Sequence, residues 1–525
     1  MKKIGYIAVF VLSGIVGVAQ NTQKIMDHEV VTKYGKLQPW TGYHNVLKWS
    51  MNYLVNCPTY KTKFGDDPLY LVTSKLYKDG SFCYKQNNPG SNVYFGMETF
   101  KKYYAYSGDS AALMPVRRLI QRVAYYHTPK DWAWPDVPRT QDDTPDGEYA
   151  DEWSGVDKIC MVAIGYLNYY RFTGDKQYFT KAEHIAQTIL QHIQSGNEKQ
   201  SPIPFMVNLK TGDILDPYCS NMTLPVQLFD ELLENKSTSL DKKELKSKRD
   251  LLWKWILDYP MKNNLWSGYY EDVKSNYTNL NQQNPMETAR YILNHPEVDP
   301  DFKTHIPALI SWVENRFGQV KRFSATSIKE QDGCFKEMSS HTARYASVVA
   351  KWFGVCLDEK VREEARASFA LATYSAYNQY SKNQQAINYT GIEYIEPWFS
   401  DSYWDYLPHI LDGMAEMPDM LPSGENHIFY SSSMIIQVAY SPENISYTTF
   451  NDSGTERIKL TFTPEVFSKG KPLNKKYWNY GNFRGVDNIL IIRRDGINQI
   501  EIRKNDTLTK RLSHETNNYH TGITY

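Results

Sequence analysis

The sequence predicts a mainly helical chain, a ring of helical hairpins followed by a smaller C-terminal β-sandwich. Three observations carry this. From about position 40 to 415, apolar residues recur at helical spacing, as in Leu47, Met51, Leu54 and Val55. Two hairpin junctions repeat one pattern, Tyr103-Tyr104-Ala105-Tyr106-Ser107-Gly108-Asp109 and Asn168-Tyr169-Tyr170-Arg171-Phe172-Thr173-Gly174-Asp175. After Pro418 the period changes to short runs separated by turn signals.

The chain opens with Lys2 and Lys3, an apolar run from Ile4 to Val18, and small residues at Gly17-Val18-Ala19. This reads as a secretory signal peptide over 1–19, with a mature chain from near Gln20 that is secreted or periplasmic. The run is short for a membrane span, and a membrane anchor is the competing reading. No membrane partner is expected after cleavage. Cys57 is the first cysteine, so no lipid-attachment cysteine sits at the cut.

A toroid domain is expected over 20–420. In each junction Gly takes the left-handed position after one helix and Asp caps the next, giving a tight αα-hairpin. Trp352-Phe353-Gly354 reads as a degenerate third copy. Hairpin repeats cannot bury a face alone, so they close into a toroid or stack. Further helices are expected at 224–234, 244–257, 285–293, 302–317, 336–353 and 361–377. Asn284-Pro285-Met286-Glu287 is a helix start signal, with Asn as cap. A β-sandwich is expected over 421–525, with strands at 429–440, 445–450, 457–462, 488–494 and 499–503. Asp452-Ser453-Gly454 and Arg494-Asp495-Gly496 supply hairpin turns.

Lys+Arg and Asp+Glu each total 59, so the formal charge is zero. That excludes the basic excess of a nucleic-acid binder. A mean hydropathy of −0.56 excludes a polytopic membrane protein. The six cysteines form no small disulfide framework and no CxxC, and read as mostly free, buried thiols.

A secreted helical-hairpin domain followed by a β-sandwich resembles the six-hairpin carbohydrate-active enzymes with an (α/α)6-type toroid. These include unsaturated glucuronyl hydrolases, some β-glucuronidases and several polysaccharide lyases. The matching pieces are the "YAYSGD" and "YRFTGD" hairpins and the "PIPFMVNLKTGDI" loop. The resemblance implies an oligo- or polysaccharide substrate and leaves hydrolysis and elimination both open.

Three constellations present candidate chemistry. In the first, Trp132, Trp134 and Asp136 precede Asp142, Asp143, Asp146, Glu148, Asp151, Glu152 and Trp153. Carboxylates beside indole rings suit a glycosidase, and a solvated acidic loop is the plain alternative. Asp151 and Glu152 are expected to open a helix. The second holds Glu330, Glu337, His341, Arg344 and Tyr345, with Glu337, His341 and Tyr345 on one helical face. A guanidinium at Arg344 suits a uronate carboxyl; an internal packing network is the alternative. The third, Trp398, Asp401, Tyr403, Trp404, Asp405, Tyr406 and His409, reads as a cleft wall or a packing seam. Glu287 and Arg290 carry less weight, Glu287 as a helix cap. There is no HExxH, phosphate loop, GxSxG or post-strand GxGxxG, so no metal and no cofactor are expected.

The favoured reading is a glycoside hydrolase acting on uronic-acid-containing glycans by paired carboxylates. Glu330 is the acid, Asp151 or Glu152 its partner, and His341 a further catalytic candidate. Trp132, Trp134, Arg290, Arg344, Tyr345, Trp404 and Asp405 are the substrate-binding candidates. The alternatives are a polysaccharide lyase, with His341 or a Tyr as base and Arg344 neutralising the carboxylate, and a non-catalytic glycan-binding protein. The β-domain would then bind sugar or mediate a homo-oligomer.

Overall fold

The computed structural model describes residues 36–72, 88–140, 149, 151–270, 277–376 and 398–505, with short pieces at 24–25, 28–29, 75–76 and 82–83. The N-terminal signal-like segment and the acids Asp142, Asp143, Asp146 and Glu148 lie outside these residues, as do the side chains of Trp398 and Asp401. No helix among the described residues is long and apolar enough to cross a membrane.

Twelve α-helices of the described residues alternate between an outer and an inner layer. They are α1 Tyr43–Val55, α2 Pro89–Ser107, α3 Leu113–Tyr125, α4 Val156–Thr173, α5 Lys176–His192, α6 Thr223–Glu234, α7 Lys242–Ile256, α8 Gln283–Asn294, α9 Phe302–Phe317, α10 Ser339–Cys356, α11 Glu359–Ala372 and α12 Ser400–Glu416. The even-numbered helices contact one another in sequence, and α12 returns to α2, which closes the inner ring. Each packs on an odd-numbered outer helix, and α1 packs on α12. The sequence pattern explains the layering. Every residue of α4 from Val156 to Tyr169 is buried, whereas α5 buries a stripe and exposes the rest.

The inner-to-outer junctions are tight for the expected reason. Gly108 and Gly174 adopt positive φ after α2 and α4, and Asp109 and Asp175 accept from the backbone N–H two residues on. The third copy is shifted from the expected position. Helix α10 runs through Gly354, and Leu357 takes the left-handed position, with Asp358 capping α11.

The connections differ sharply between the two ends. Outer-to-inner segments (56–88, 126–155, 193–222, 257–282, 318–338, 373–399) are long, and inner-to-outer ones are short. The long segments and the N-termini of all six inner helices therefore share one end. Small strands order this end: β1 Trp153–Gly155 pairs β2 Met206–Asn208, which pairs β3 Ile214–Asp216, and β4 Lys329–Gln331 pairs β5 Cys334–Glu337. Gly268 holds a close approach here, with φ +73° and a space in which a Cβ would lie 2.1 Å from the Tyr218 carbonyl oxygen. Gly268→Ala should cost more than ~1 kcal/mol and lower the denaturation midpoint of the purified chain.

The β-sandwich covers the opposite end. Its strands are β6 His427–Ser431, β7 Ile435–Tyr440, β8 Asn444–Thr449, β9 Gly454–Lys459, β10 Pro464–Ser468, β11 Lys471–Pro472, β12 Trp478–Phe483, β13 Val486–Arg494 and β14 Gln499–Lys504. They form a four-stranded sheet, β6-β9-β13-β12, and a five-stranded sheet, β7-β8-β14-β10-β11. The single strand expected over 429–440 is thus two strands in different sheets, because the chain bends at Ser432-Ser433. Arg494 and Glu456 form a fully buried two-point pair inside the sandwich, at 2.8 and 2.9 Å. Arg457 and Arg484 donate to the backbone at Ala415 and Glu416, each at 2.7 Å, and fix the sandwich to α12. Cys57, Cys160 and Cys219 are buried thiols, Cys334 is half-buried and Cys356 is exposed.

Candidate active site

The β4–β5 hairpin carries Glu330 to the start of α10, where His341 sits in the first turn. Nε2 of His341 lies 3.9 Å from Glu330 Oε1 and 3.5 Å from the Tyr270 hydroxyl. The Gln282 side-chain amide is 3.5 Å from the same hydroxyl. His341 is buried, while the Glu330 side chain keeps 19% of its exposure. Burial, and then the negative Glu330, push the Tyr270 phenol well above its ordinary pKa.

Arg344 decides which nitrogen of His341 carries the proton. Its Nη1 lies 2.9 Å from His341 Nδ1. A guanidinium only donates, so Nδ1 accepts and the neutral ring holds its hydrogen on Nε2, facing Glu330 and Tyr270. Burial, and then the Arg344 charge, push the imidazole down to about 3, so the ring is neutral in ordinary buffers. His341 is therefore a fixed donor toward Glu330, with no lone pair on that side.

Arg344 is itself fully enclosed. Its Nε donates to Glu287 at 3.0 Å and its Nη2 to Asp405. Burial opposes its charge, but Asp405 and Glu287 hold its pKa above the ordinary value. A second histidine repeats the device. His409 Nδ1 lies 3.1 Å from Arg290 Nη2, and its Nε2 donates to Asp405 at 3.0 Å. Arg290 continues to Glu287 at 3.0 Å and Asp412 at 2.8 Å, and Lys102 reaches Asp412 at 3.0 Å. A charge network thus links α8, α10, α12 and α2 across the toroid axis. A cavity of about 440 Å³ lies along this axis, lined by Gln283, Asn221, Glu287, Arg290 and Lys102 and reaching Ser432 and Phe450 of the sandwich. The Gln283 side-chain nitrogen is buried there without a hydrogen-bond partner among the described residues. The cavity and the Glu330 cluster adjoin through Glu287, which lines one and holds Arg344 for the other. Arg290 and Lys102 of the cavity are held by carboxylates, whereas the Glu330 side chain keeps part of its exposure.

The structure brings Glu330, His341, Arg344, Asp405 and Arg290 into one network, and joins two of the three sequence constellations. Other candidates lie elsewhere. Tyr345 turns toward the outer layer, where its hydroxyl meets Glu314 and Glu364. Glu337 sits in β5 and pairs with Arg322, so it shares no helical face with His341. The 336–353 helix starts later, at Ser339, because the preceding residues pair as a hairpin. Asp151 and Glu152 precede a strand and do not open a helix; Glu152 is exposed and pairs with Lys210 at 3.1 Å. Trp132 is half-buried, with the Arg139 guanidinium 5.0 Å and the Lys210 ammonium 5.9 Å from its ring. Trp134 stacks on His192 at 4.0 Å in the core, and Trp404 is buried against Tyr70. Asn284 is not the cap of α8; Asn281 accepts from its backbone N–H at 3.0 Å, and Glu287 bridges the two arginines.

Lys102, Asp412 and Gln283 were not singled out from sequence. The signal available was the spacing of Asp405, His409 and Asp412, which places all three on one face of α12.

No protein-family model matches the chain, and no curated protein matches it. Solved structures do. The cellobiose 2-epimerase of Spirochaeta thermophila aligns with a TM-score of 0.50 and 8% identity, over 72% of this chain and 96% of its own. A sugar epimerase from a ruminal bacterium aligns at 0.49 and 10%, over 71% and 98%. An unsaturated glucuronyl hydrolase specific for heparin aligns at 0.47 and 13%, over 72% and 97%. At these identities the likeness is one of backbone architecture. The chain is a six-hairpin (α/α) toroid, a fold it has in common with cellobiose 2-epimerase, joined to a C-terminal β-sandwich.

Proposed function

We propose that this chain is a secreted glycoside hydrolase acting on uronic-acid-containing glycans at the long-loop end of the toroid. The observation that carries the reading is the fixed tautomer of His341. A lyase or epimerase base needs a lone pair facing the substrate; Arg344 leaves His341 with a hydrogen there instead, and burial pushes the neighbouring Tyr270 phenol well above its ordinary pKa, which keeps it protonated. Proton transfer then falls to Glu330, which in its protonated form gives its proton to the departing glycosidic oxygen, leaving a carboxylate that faces the His341 Nε2 hydrogen. Asp151 is the favoured second carboxylate, because Glu152 is exposed and held by Lys210.

Two features favour an anionic sugar. Six inner-helix N-termini direct the positive ends of their dipoles to this end. The Arg139 guanidinium and the Lys210 ammonium, the latter also paired with Glu152, stand over the Trp132 ring and make a cationic patch for a carboxylate.

Incubation of the purified chain with uronic-acid oligomers tests the reading. New reducing ends without near-ultraviolet absorbance are expected. Growing absorbance would mean an unsaturated product and elimination. Tight glycan binding with neither signal would mean a non-catalytic binder.

A further inference from the structure

We propose that His44, Glu425 and His427 bind one divalent transition-metal ion, best matched by Zn²⁺, at the junction of the toroid and the β-sandwich. The three side chains come from separate parts of the chain. His44 lies at the start of α1, His427 opens β6, and Glu425 precedes it. Their ligand atoms all lie within 4.8 Å of one another. Glu425 Oε2 is 3.0 Å from His427 Nε2 and 3.8 Å from His44 Nε2.

The hydrogen bonds behind these atoms point the same way. His427 Nδ1 lies 2.8 Å from the Tyr106 carbonyl oxygen. A carbonyl only accepts, so Nδ1 carries the hydrogen and Nε2 of the neutral ring presents a lone pair. That lone pair faces a carboxylate oxygen at 3.0 Å, so both groups offer electron pairs to one point. A metal ion accepts both pairs, and the metal titration below distinguishes it from a second ring proton. The Tyr106 hydroxyl supports Nδ1 of His44 at 2.9 Å, and the Tyr106 ring stacks on His427 at 4.0 Å. Outer partners that fix imidazole orientation are what metal-binding histidines have.

The chemistry fits Zn²⁺ best. Two imidazoles and one carboxylate at ~2.0–2.2 Å from the ion make a three-ligand set with a fourth position for water. Ligand atoms around such an ion stand roughly 3.4 Å apart, so shifts of under about 1 Å complete the geometry. Glu425 is half-exposed, which leaves an entry path. The ion would clamp α1 and the end of α2 to the first strand of the sandwich. The His44 to His427 separation explains why no local spacing motif announces the site.

The test uses the full chain, stripped with a chelator and then titrated with ZnCl₂ or CoCl₂. About one equivalent should bind, raise the melting temperature by several degrees, and with Co²⁺ give visible d–d absorption. Glu425→Gln and His44→Gln should lose that equivalent and the absorption while keeping the far-ultraviolet dichroism of the parent. Both positions are partly exposed, so both variants should fold. Failure of the stripped parent to bind Zn²⁺ or Co²⁺, or the same stoichiometry in both variants, would overturn the assignment.

Discussion

Glu330→Gln should lower hydrolysis of uronic-acid oligomers by ~10²–10⁴-fold, the usual contribution of a positioned acid. Gln keeps the size and one acceptor of Glu but cannot deliver a proton. The side chain is on a hairpin rim and partly exposed, so the substitution should leave the melting temperature nearly unchanged. The predicted signature is a fall in kcat with KM little altered, because the lost interaction belongs to the transition state. Retention of full activity in the folded variant would move the acid elsewhere, and Asp151→Asn would be the next measurement.

Arg344→Met should destabilise the toroid by about 3–5 kcal/mol. The guanidinium is fully enclosed and engages Glu287, Asp405 and His341 together. Removing it leaves two carboxylates in the interior without their shared cation, and frees Nδ1 of His341. Chemical denaturation measures the loss. Arg362, which pairs with Asp419 nearer the surface at 2.9 Å, supplies the contrast: Arg362→Met should cost under ~1 kcal/mol. Equal effects at the two positions would contradict the account of the network.

The same network gives the stability a sign with pH. His341 is pushed from 6.5 to about 3 in the folded chain, so the unfolded chain takes up a proton first on acidification. The stability tied to its neutral form is present above pH 6.5 and declines from there toward pH 3.

Sequence revealed the hairpins because their signals are local. Gly108-Asp109 and Gly174-Asp175 set a left-handed turn and a cap within two residues, and no distant contact is needed. It did not reveal α12, whose density of aromatic residues reads equally as a cleft wall or a packing seam, nor the start of α10, where Glu337 matches a helical spacing by coincidence. Within the site, His341 and Arg344 were legible as neighbours on one helix, and Asp405 and His409 only as members of one aromatic-rich stretch. Their union was not. Arg344 meets Glu287 across 57 positions and Asp405 across 61, and only closure of the inner ring brings α8, α10 and α12 together. The metal cluster escaped for the same reason.

The protonation of His341 decides which group transfers the proton. Nitrogen NMR of chain labelled with ¹⁵N-histidine, with His341→Gln to assign the signal, reads it without any substrate. A neutral ring with its hydrogen on Nε2, unchanged from about pH 8 down to pH 5, is the predicted result. A ring that titrates near 6.5, or carries its hydrogen on Nδ1, would give His341 the lone pair of a base and contradict the assignment of proton transfer to Glu330.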